Sequence, residues 1–409
     1  MYILKQNIGM KTFLFILGKN PGISLAEIAC CMEAFSVPFR VREVSAVFLA
    51  AEADGLPEAL MNRLGGTLKI AEVFFSAAGN KGLEEIAGEM ERKVDFPRLF
   101  RGLPEKAVFG MSTYATGNEQ AFFSGFFKDK MRDEGIKAGC IGSGSRPFLQ
   151  HTEVVKKHLV EKSAEFVACS GREFYMGRTV FVHNPFEFQK RDVGRPAQRT
   201  IYSLPPRLCR IMINMAGLQK GVLLDPFCGI GSILQEAALM GLDIRGIDID
   251  KNCVNSCIKN LSWLDREYRV EIKDANRKIL SGSSDNLANY FTGNSINAIV
   301  TEPYLGPPLK KRPGAKEAGG ILGGLEGRYR KWLRSMLAVL RPRGRIVIVS
   351  PCFRTGRGIM QLDVEGMAKG LGATAIDPLK RYNIPHSFPF LDYSERHRTL
   401  RKISIIEKQ

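Results

Sequence analysis

Residues Gly221–Asp250 read GVLLDPFCGIGSILQEAALMGLDIRGIDID. A short apolar run, Val222 to Leu224, ends at Asp225. The turn Cys228-Gly229-Ile230-Gly231 follows, then a helix-like segment from Ser232 to Met240, then a second apolar run ending at Asp248. This is one strand-turn-helix-strand unit with a carboxylate at the tip of each strand. In a doubly wound sheet, ligands sit outside the carboxyl ends of the strands, so the unit reads as a cofactor crevice. Taken alone it suits a dehydrogenase as well as a transferase. A dinucleotide fingerprint, however, needs a third glycine where this chain has Leu234.

The pattern continues downstream. Val254 to Leu264 is predicted helical, and Tyr268 to Ile272 is predicted as the third strand, leading to Asp274-Ala275. Ile296 to Val300 is the fourth strand and ends in Thr301-Glu302-Pro303-Tyr304. Leu305 to Gly327 is rich in Gly, Pro and Lys, with Lys310 and Lys311, and reads as a mobile lid. A helix over Tyr329–Leu340 and strands at Arg345–Ser350 and Leu400–Ile406 complete the series. Strands alternating with helices imply a parallel sheet covered on both faces. The expected fold of 201–409 is therefore α/β and Rossmann-like.

The strand ends suggest the ligand. Gly229 and Gly231 admit close backbone approach, and Asp225, with Phe227 in the same turn, suits a charged amino group. Asp248 is placed for ribose hydroxyls, and Asp274 with Ala275 for an adenine amine. A ligand with an adenine, a ribose and a charged amino acid tail, but no phosphate, fits the set: S-adenosylmethionine. The corner Glu302-Pro303-Tyr304 suits methyl transfer to an exocyclic amine of a base. Hydrogen bonds to Glu302 localise the amine lone pair, and Tyr304 stacks the base. A paired base cannot reach such a pocket, so the target nucleotide is unpaired or flipped. His151, His158, His183, His386 and His397 are scattered, and neither a nucleophile elbow nor a metal-ligand set is visible.

The 409 residues carry a formal net charge of +17, which points to nucleic acid as a partner. Nine cysteines, an odd number without a CxxC pair, indicate a reducing compartment and no zinc site. Met1 to Gly18 lacks a signal peptide's layout, and no run approaches the length that spans a bilayer; a cytoplasmic protein is expected. Upstream, the order β-α-β-β-α-β over 1–78 suggests a ferredoxin-like module. Its first helix is predicted to start at Ser24, with Glu27 completing a capping box. Residues 79–185 form a second, basic α+β module, in which Phe122, Phe123, Phe126 and Phe127 serve either core packing or base stacking. Residues 186–200 are polar and hold Lys190, Arg191, Arg195 and Arg199. They read as a linker and, compatibly, as a basic strap that contacts RNA.

Four motifs carry a resemblance: Arg191-Asp192-Val193-Gly194-Arg195-Pro196, Ser203-Leu204-Pro205-Pro206-Arg207-Leu208, Asp225-Pro226-Phe227-Cys228-Gly229-Ile230-Gly231 and Thr301-Glu302-Pro303-Tyr304. With them the chain resembles the THUMP-domain tRNA guanine-N2 methyltransferases that modify guanosine 10. Leu17-Gly18-Lys19-Asn20-Pro21 with Ser24-Leu25-Ala26-Glu27 is similar to that family's N-terminal module. The resemblance implies a ferredoxin-like domain, a THUMP domain that holds the tRNA acceptor end, a linker and a Rossmann-like catalytic domain. It implies S-adenosylmethionine as cofactor at Asp225, Gly229, Gly231, Asp248, Asp274 and Ala275, and tRNA as substrate. The usual fourth motif, Asp-Pro-Pro-Tyr-Gly, is replaced by Glu302-Pro303-Tyr304-Leu305-Gly306. An adenine-N6 methyltransferase, a ribosomal RNA N2-guanine methyltransferase and a non-catalytic tRNA-binding protein are the alternatives.

Overall fold

The structure is a computed structural model that describes residues 9–115, 119–142, 146–198, 203–384, 390–393 and 397–409. It divides into two compact units. The first groups the described chain up to Pro21 with Val37–Asn62 and Thr67–Glu187; the second groups Gly22–Ser36 and Arg63–Gly66 with Phe188–Gln409. No helix among the described residues is long and apolar enough to cross a membrane.

The first unit is built on one sheet of eight strands: β1 (Lys11–Leu17), β2 (Phe39–Val44), β3 (Phe48–Ala53), β4 (Thr67–Ala78), β5 (Lys106–Tyr114), β6 (Lys137–Cys140), β7 (Glu165–Ser170) and β8 (Glu173–Val182). Their spatial order is β2-β3-β1-β4-β8-β7-β5-β6. The β-α-β-β-α-β succession is present. The sheet, however, does not stop near residue 78: β4 pairs with β8 from Lys69↔Val182 to Ala78↔Glu173. Segments 1–78 and 79–185 thus share a sheet. Phe123 and Phe127 are fully buried, and Phe122 and Phe126 pack against the same core. Burying each such ring contributes ~1.5–3 kcal/mol, which decides for packing over base stacking.

The capping box at Ser24 is not formed. The helix already begins at Pro21, and Ser24 donates to Gly66 O at 2.9 Å. Glu27 is buried and accepts from the amides of Gly65 and Gly66 and from Asn214 Nδ2, each at 2.7 Å. Burial pushes this carboxyl up, and the three donors oppose that. The pattern that looked like a local cap is therefore a long-range clamp within the second unit.

The second unit holds β9 (Val222–Asp225), β10 (Asp243–Asp248), β11 (Ile279–Ser281), β12 (Ile296–Thr301), β13 (Leu340–Thr355), β14 (Gly358–Gln361), β15 (Ala373–Ala375), β16 (Phe390–Asp392) and β17 (Leu400–Lys408). The main order is β11-β10-β9-β12-β13-β17-β15. The first five strands run parallel, and β17 inserts antiparallel between β13 and β15. Leu223-Leu224, Ile299-Val300 and Ile346 to Val349 are buried, as strands covered on both faces require. The chain reverses direction of travel across the sheet between β9 and β12. That is the switch point where a ligand crevice forms.

Two expectations fail here. The third strand is not Tyr268–Ile272, because the helix Lys251–Tyr268 runs through Tyr268 and ends at Arg269 with φ 53°. The strand is Ile279–Ser281, so Asp274 and Ala275 precede it instead of following it. Lys278 pairs with Asp243, the first residue of β10, at 2.6 Å, which puts this segment at the amino ends of the strands. Second, most of the expected lid is helix, Ala315–Val339. Ala318, Leu322, Leu325, Tyr329, Leu333 and Met336 fall on its buried side, a periodicity masked by the interspersed glycines. The segment expected as a linker carries a helix, Pro185–Val193.

Candidate active site

The turn after β9 is held by its own backbone and by β10. Asp225 Oδ1 accepts from Phe227 N at 3.1 Å and from Thr301 Oγ1 at 2.7 Å. Cys228 N donates to Ile247 O at 2.9 Å, and Gly229 N donates to Asp248 Oδ2 at 2.8 Å. The other oxygen of Asp248 accepts from Asp250 N at 2.9 Å. Asp248 thus shapes the glycine turn, and each oxygen keeps a lone pair for a hydroxyl donor. Gly231 has φ 88°, and a Cβ there would lie 2.6 Å from Cys257 Sγ; both the conformation and the close approach require glycine. Gly231 also caps the helix Ser232–Leu239, whose first turn faces the cleft.

That cleft has an empty volume of about 410 Å³, open solvent at its mouth included, and is lined by Ser203, Asp225, Phe227, Gly229, Ser232 and Glu302 among others. Phe227 packs edge-on against Trp332, with ring centroids 4.8 Å apart. Asp225 is buried, and burial pushes its carboxyl up to about 7; Asp248 and Glu302 add to the rise, while Thr301 and Phe227 N oppose it. Burial also pushes Glu302 up, against the opposing pull of Arg401. Arg401 Nε donates to Glu302 Oε2 at 2.6 Å. Tyr304 is 49% exposed. Its carbonyl lies 3.4 Å from the hydroxyl of buried Tyr329. Gly306 adopts φ 100°, which keeps the sharp turn of the corner. Pro303 is buried beneath it.

The structure therefore brings Asp225, Phe227, Gly229, Gly231, Asp248, Glu302, Pro303 and Tyr304 to one edge of the sheet. It does not bring Asp274 and Ala275 there. Ser284, past the carboxyl end of β11, is the residue that reaches the turn, donating to Pro226 O. Lys310 and Lys311 are exposed.

The basic strap needs a correction. Arg191 and Arg195 are 4% and 3% exposed, so neither is a surface cation for RNA. Arg191 Nε donates to Glu236 Oε1 at 2.5 Å, and Arg210 reaches Glu236 Oε2 at 2.8 Å. The Phe188 ring lies against both guanidinium groups, at 4.4 and 4.9 Å. Arg195 donates to Ser232 Oγ and Ser203 Oγ, each at 2.7 Å, with the two hydroxyls 2.9 Å apart. Its nearest acid, Asp192, is 3.9 Å away. Lys190 is exposed and pairs with Glu267. Arg199 and His386 lie outside the described residues. Sequence reading missed Arg401, Thr301, Ser203 and Ser232 as site residues. Thr301 and both serines stood inside or beside the motifs; Arg401, ninety-nine residues beyond Glu302, gave no signal.

Residues 195–355 match the profile of RMKL-like methyltransferase domains. The chain is 30% identical over 203 residues to the tRNA (guanine(10)-N2)-dimethyltransferase of Pyrococcus abyssi, covering 49% of this chain and 55% of that one. It is 34% identical over 119 residues to a Methanothermococcus thermolithotrophicus protein named "Probable tRNA (guanine(10)-N2)-dimethyltransferase", covering 29% of this chain and 71% of that one. Among solved structures it is similar to TrmN from Thermus thermophilus, at 16% identity over 97% of this chain and 100% of that one, with TM-score 0.49. The chain spans about half the length of the curated relatives it matches. Matched along 71% of the M. thermolithotrophicus sequence, and carrying the cleft just described, the chain belongs to the tRNA (guanine(10)-N2)-dimethyltransferase family.

Proposed function

We propose that this protein transfers methyl groups from S-adenosylmethionine to the N2 amine of guanosine 10 in tRNA, in the cytoplasm. The observation that carries the reading is the Glu302-Pro303-Tyr304 corner, standing at the end of β12 beside a cleft rich in carboxylates at the switch point. Residues 79–185 serve as the THUMP-like RNA-binding module, and the exposed Lys310 and Lys311 meet the RNA backbone.

The donor set fits the cofactor. A cationic ligand suits a cleft that gathers Asp225, Glu302 and, behind the turn, Asp248. A carboxylate suits the Ser203 and Ser232 hydroxyls at a helix N-terminus, with buried Arg195 beneath them. The cofactor supplies a methyl group on a sulfonium. Asp225 would take the amino group of its amino acid tail, and Asp248 the ribose hydroxyls. Glu302 Oε1 accepts an N–H of the guanine amine and then the proton that leaves it. Tyr304 stacks on the base, a contact worth ~1–3 kcal/mol, and aims the amine at the methyl; positioning supplies most of the rate.

Bulk tRNA incubated with the full chain and labelled cofactor, followed by nucleoside mass spectrometry, tests the reading. N2-methylated guanosine, with one methyl or two, is the expected product. N6-methyladenosine in its place, or no methylated nucleoside, refutes it.

A further inference from the structure

We propose that Arg401 is a positioning residue for this reaction: it holds Oε2 of Glu302 and so leaves Oε1 alone to meet the substrate amine. The inference rests on the function proposed above.

The geometry is specific. Glu302 follows β12, and Arg401 lies on β17, with β13 between them. Thr301 pairs with Ile348 and Arg401 with Pro351, so both side chains stand at the carboxyl end of the parallel sheet. They meet over the top of β13, at 2.6 Å, with 15% and 12% of their side chains exposed. Glu302 Oε1 has no hydrogen-bond partner among the described residues, and the residue lines the cleft. Two strand spacings of ~4.8 Å separate β12 from β17. An aspartate at 302, shorter by roughly 1.5 Å, does not span that gap with the same contact. The glutamate in this corner and the arginine on β17 therefore form one device.

Its chemical value follows from the neighbours. Asp225 at the end of β9, Asp392 on β16, Cys209 on the helix Pro206–Met215 and Tyr329 on the helix Ala315–Val339 face the pair. Asp392 lies 3.7 Å from Arg401 Nη1. Burial and the nearby Asp392 favour a protonated Glu302; the guanidinium opposes them and keeps an accepting oxygen available.

The test uses the full chain with tRNA and cofactor. Wild-type product formation decides the functional reading by itself. The pair is scored separately by carbon NMR titration of labelled glutamate, with the Glu302 signal assigned by its loss in Glu302→Gln; this readout needs no turnover. Arg401→Met and Arg401→Gln are expected to raise the Glu302 midpoint by roughly one pH unit or more. They move the acid limb of kcat up by the same amount, so that kcat falls on the acid side of neutrality. The KM for cofactor stays within about twofold, and Arg401→Lys keeps the wild-type midpoint. An unmoved Glu302 midpoint in both Arg401→Met and Arg401→Gln overturns the proposal, as does a midpoint shifted equally by Arg401→Lys.

Discussion

Replacing Arg191 by Met separates the two roles open to the segment around it. Arg191 contacts Glu236 at 2.5 Å, and the Glu236 side chain is 1% exposed. The substitution leaves that carboxylate with Arg210 alone, at 2.8 Å. Breaking a buried pair by removing one partner costs ~3–5 kcal/mol. Arg210 and the apolar packing of Met against Phe188 offset part of this, so ~2–4 kcal/mol is expected. In a unit of this size each kcal/mol moves the midpoint by about 2–4 °C, which gives a fall of ~4–16 °C. Calorimetry of the full chain reads it as a lowered midpoint. The affinity for tRNA, measured at several salt concentrations below the transition, keeps its slope. An RNA-contacting arginine would behave oppositely: unchanged melting, and a log–log salt slope shallower by about 0.7–0.9. That second pattern refutes the buried-clamp assignment.

Asp225 titrates near 7 in the folded protein, against about 3.9 in an unfolded chain. Between those values the native state holds a proton that the unfolded state has released, so this group's contribution to stability falls as pH rises; Asp225→Asn flattens that slope in urea unfolding at pH 5 and pH 8, and an unchanged slope contradicts the assigned burial effect. Gly324 lies in the helix Ala315–Val339, and a methyl group at its Cα would meet no atom within 4 Å; Gly324→Ala raises stability by ~0.5–1 kcal/mol, read as an increased melting temperature. Asp274→Ala leaves the cofactor KM within about twofold, because Asp274 stands at the amino ends of the strands; a tenfold rise would restore it to the site.

Much of the site was legible because its parts are adjacent in sequence. Asp225 to Gly231 is a single turn, and Glu302 to Gly306 a single corner. Glycine spacing and an acid at a strand end are local signals with local causes. The places of several parallel strands were legible for a related reason: strands covered on both faces must be apolar runs, and Leu223-Leu224 and Ile299-Val300 are such runs. Asp274 was misplaced because Tyr268–Ile272 looks extended, while the helix Lys251–Tyr268 gains from packing Leu261 and Leu264 into the core, a gain invisible to a local window. The lid became a helix for the same reason: its glycines disfavour helix locally, and Leu322, Leu325 and Tyr329 outweigh them by burial.

Charge was the least legible property. A run of arginines looks the same whether it faces water or a buried acid; Glu236 turned Arg191 into a clamp, and Ser203 with Ser232 turned Arg195 into a support for the cleft. The sequence by itself determined the glycine turn, the Glu302 corner and the alternation that builds a parallel sheet, since each depends on residues within a few positions of one another. Only the tertiary structure decided which acids have cations, which cations reach solvent, and that Glu302 answers to Arg401. Those pairings join residues far apart in the chain, and the strength of each depends on burial that only the folded chain provides.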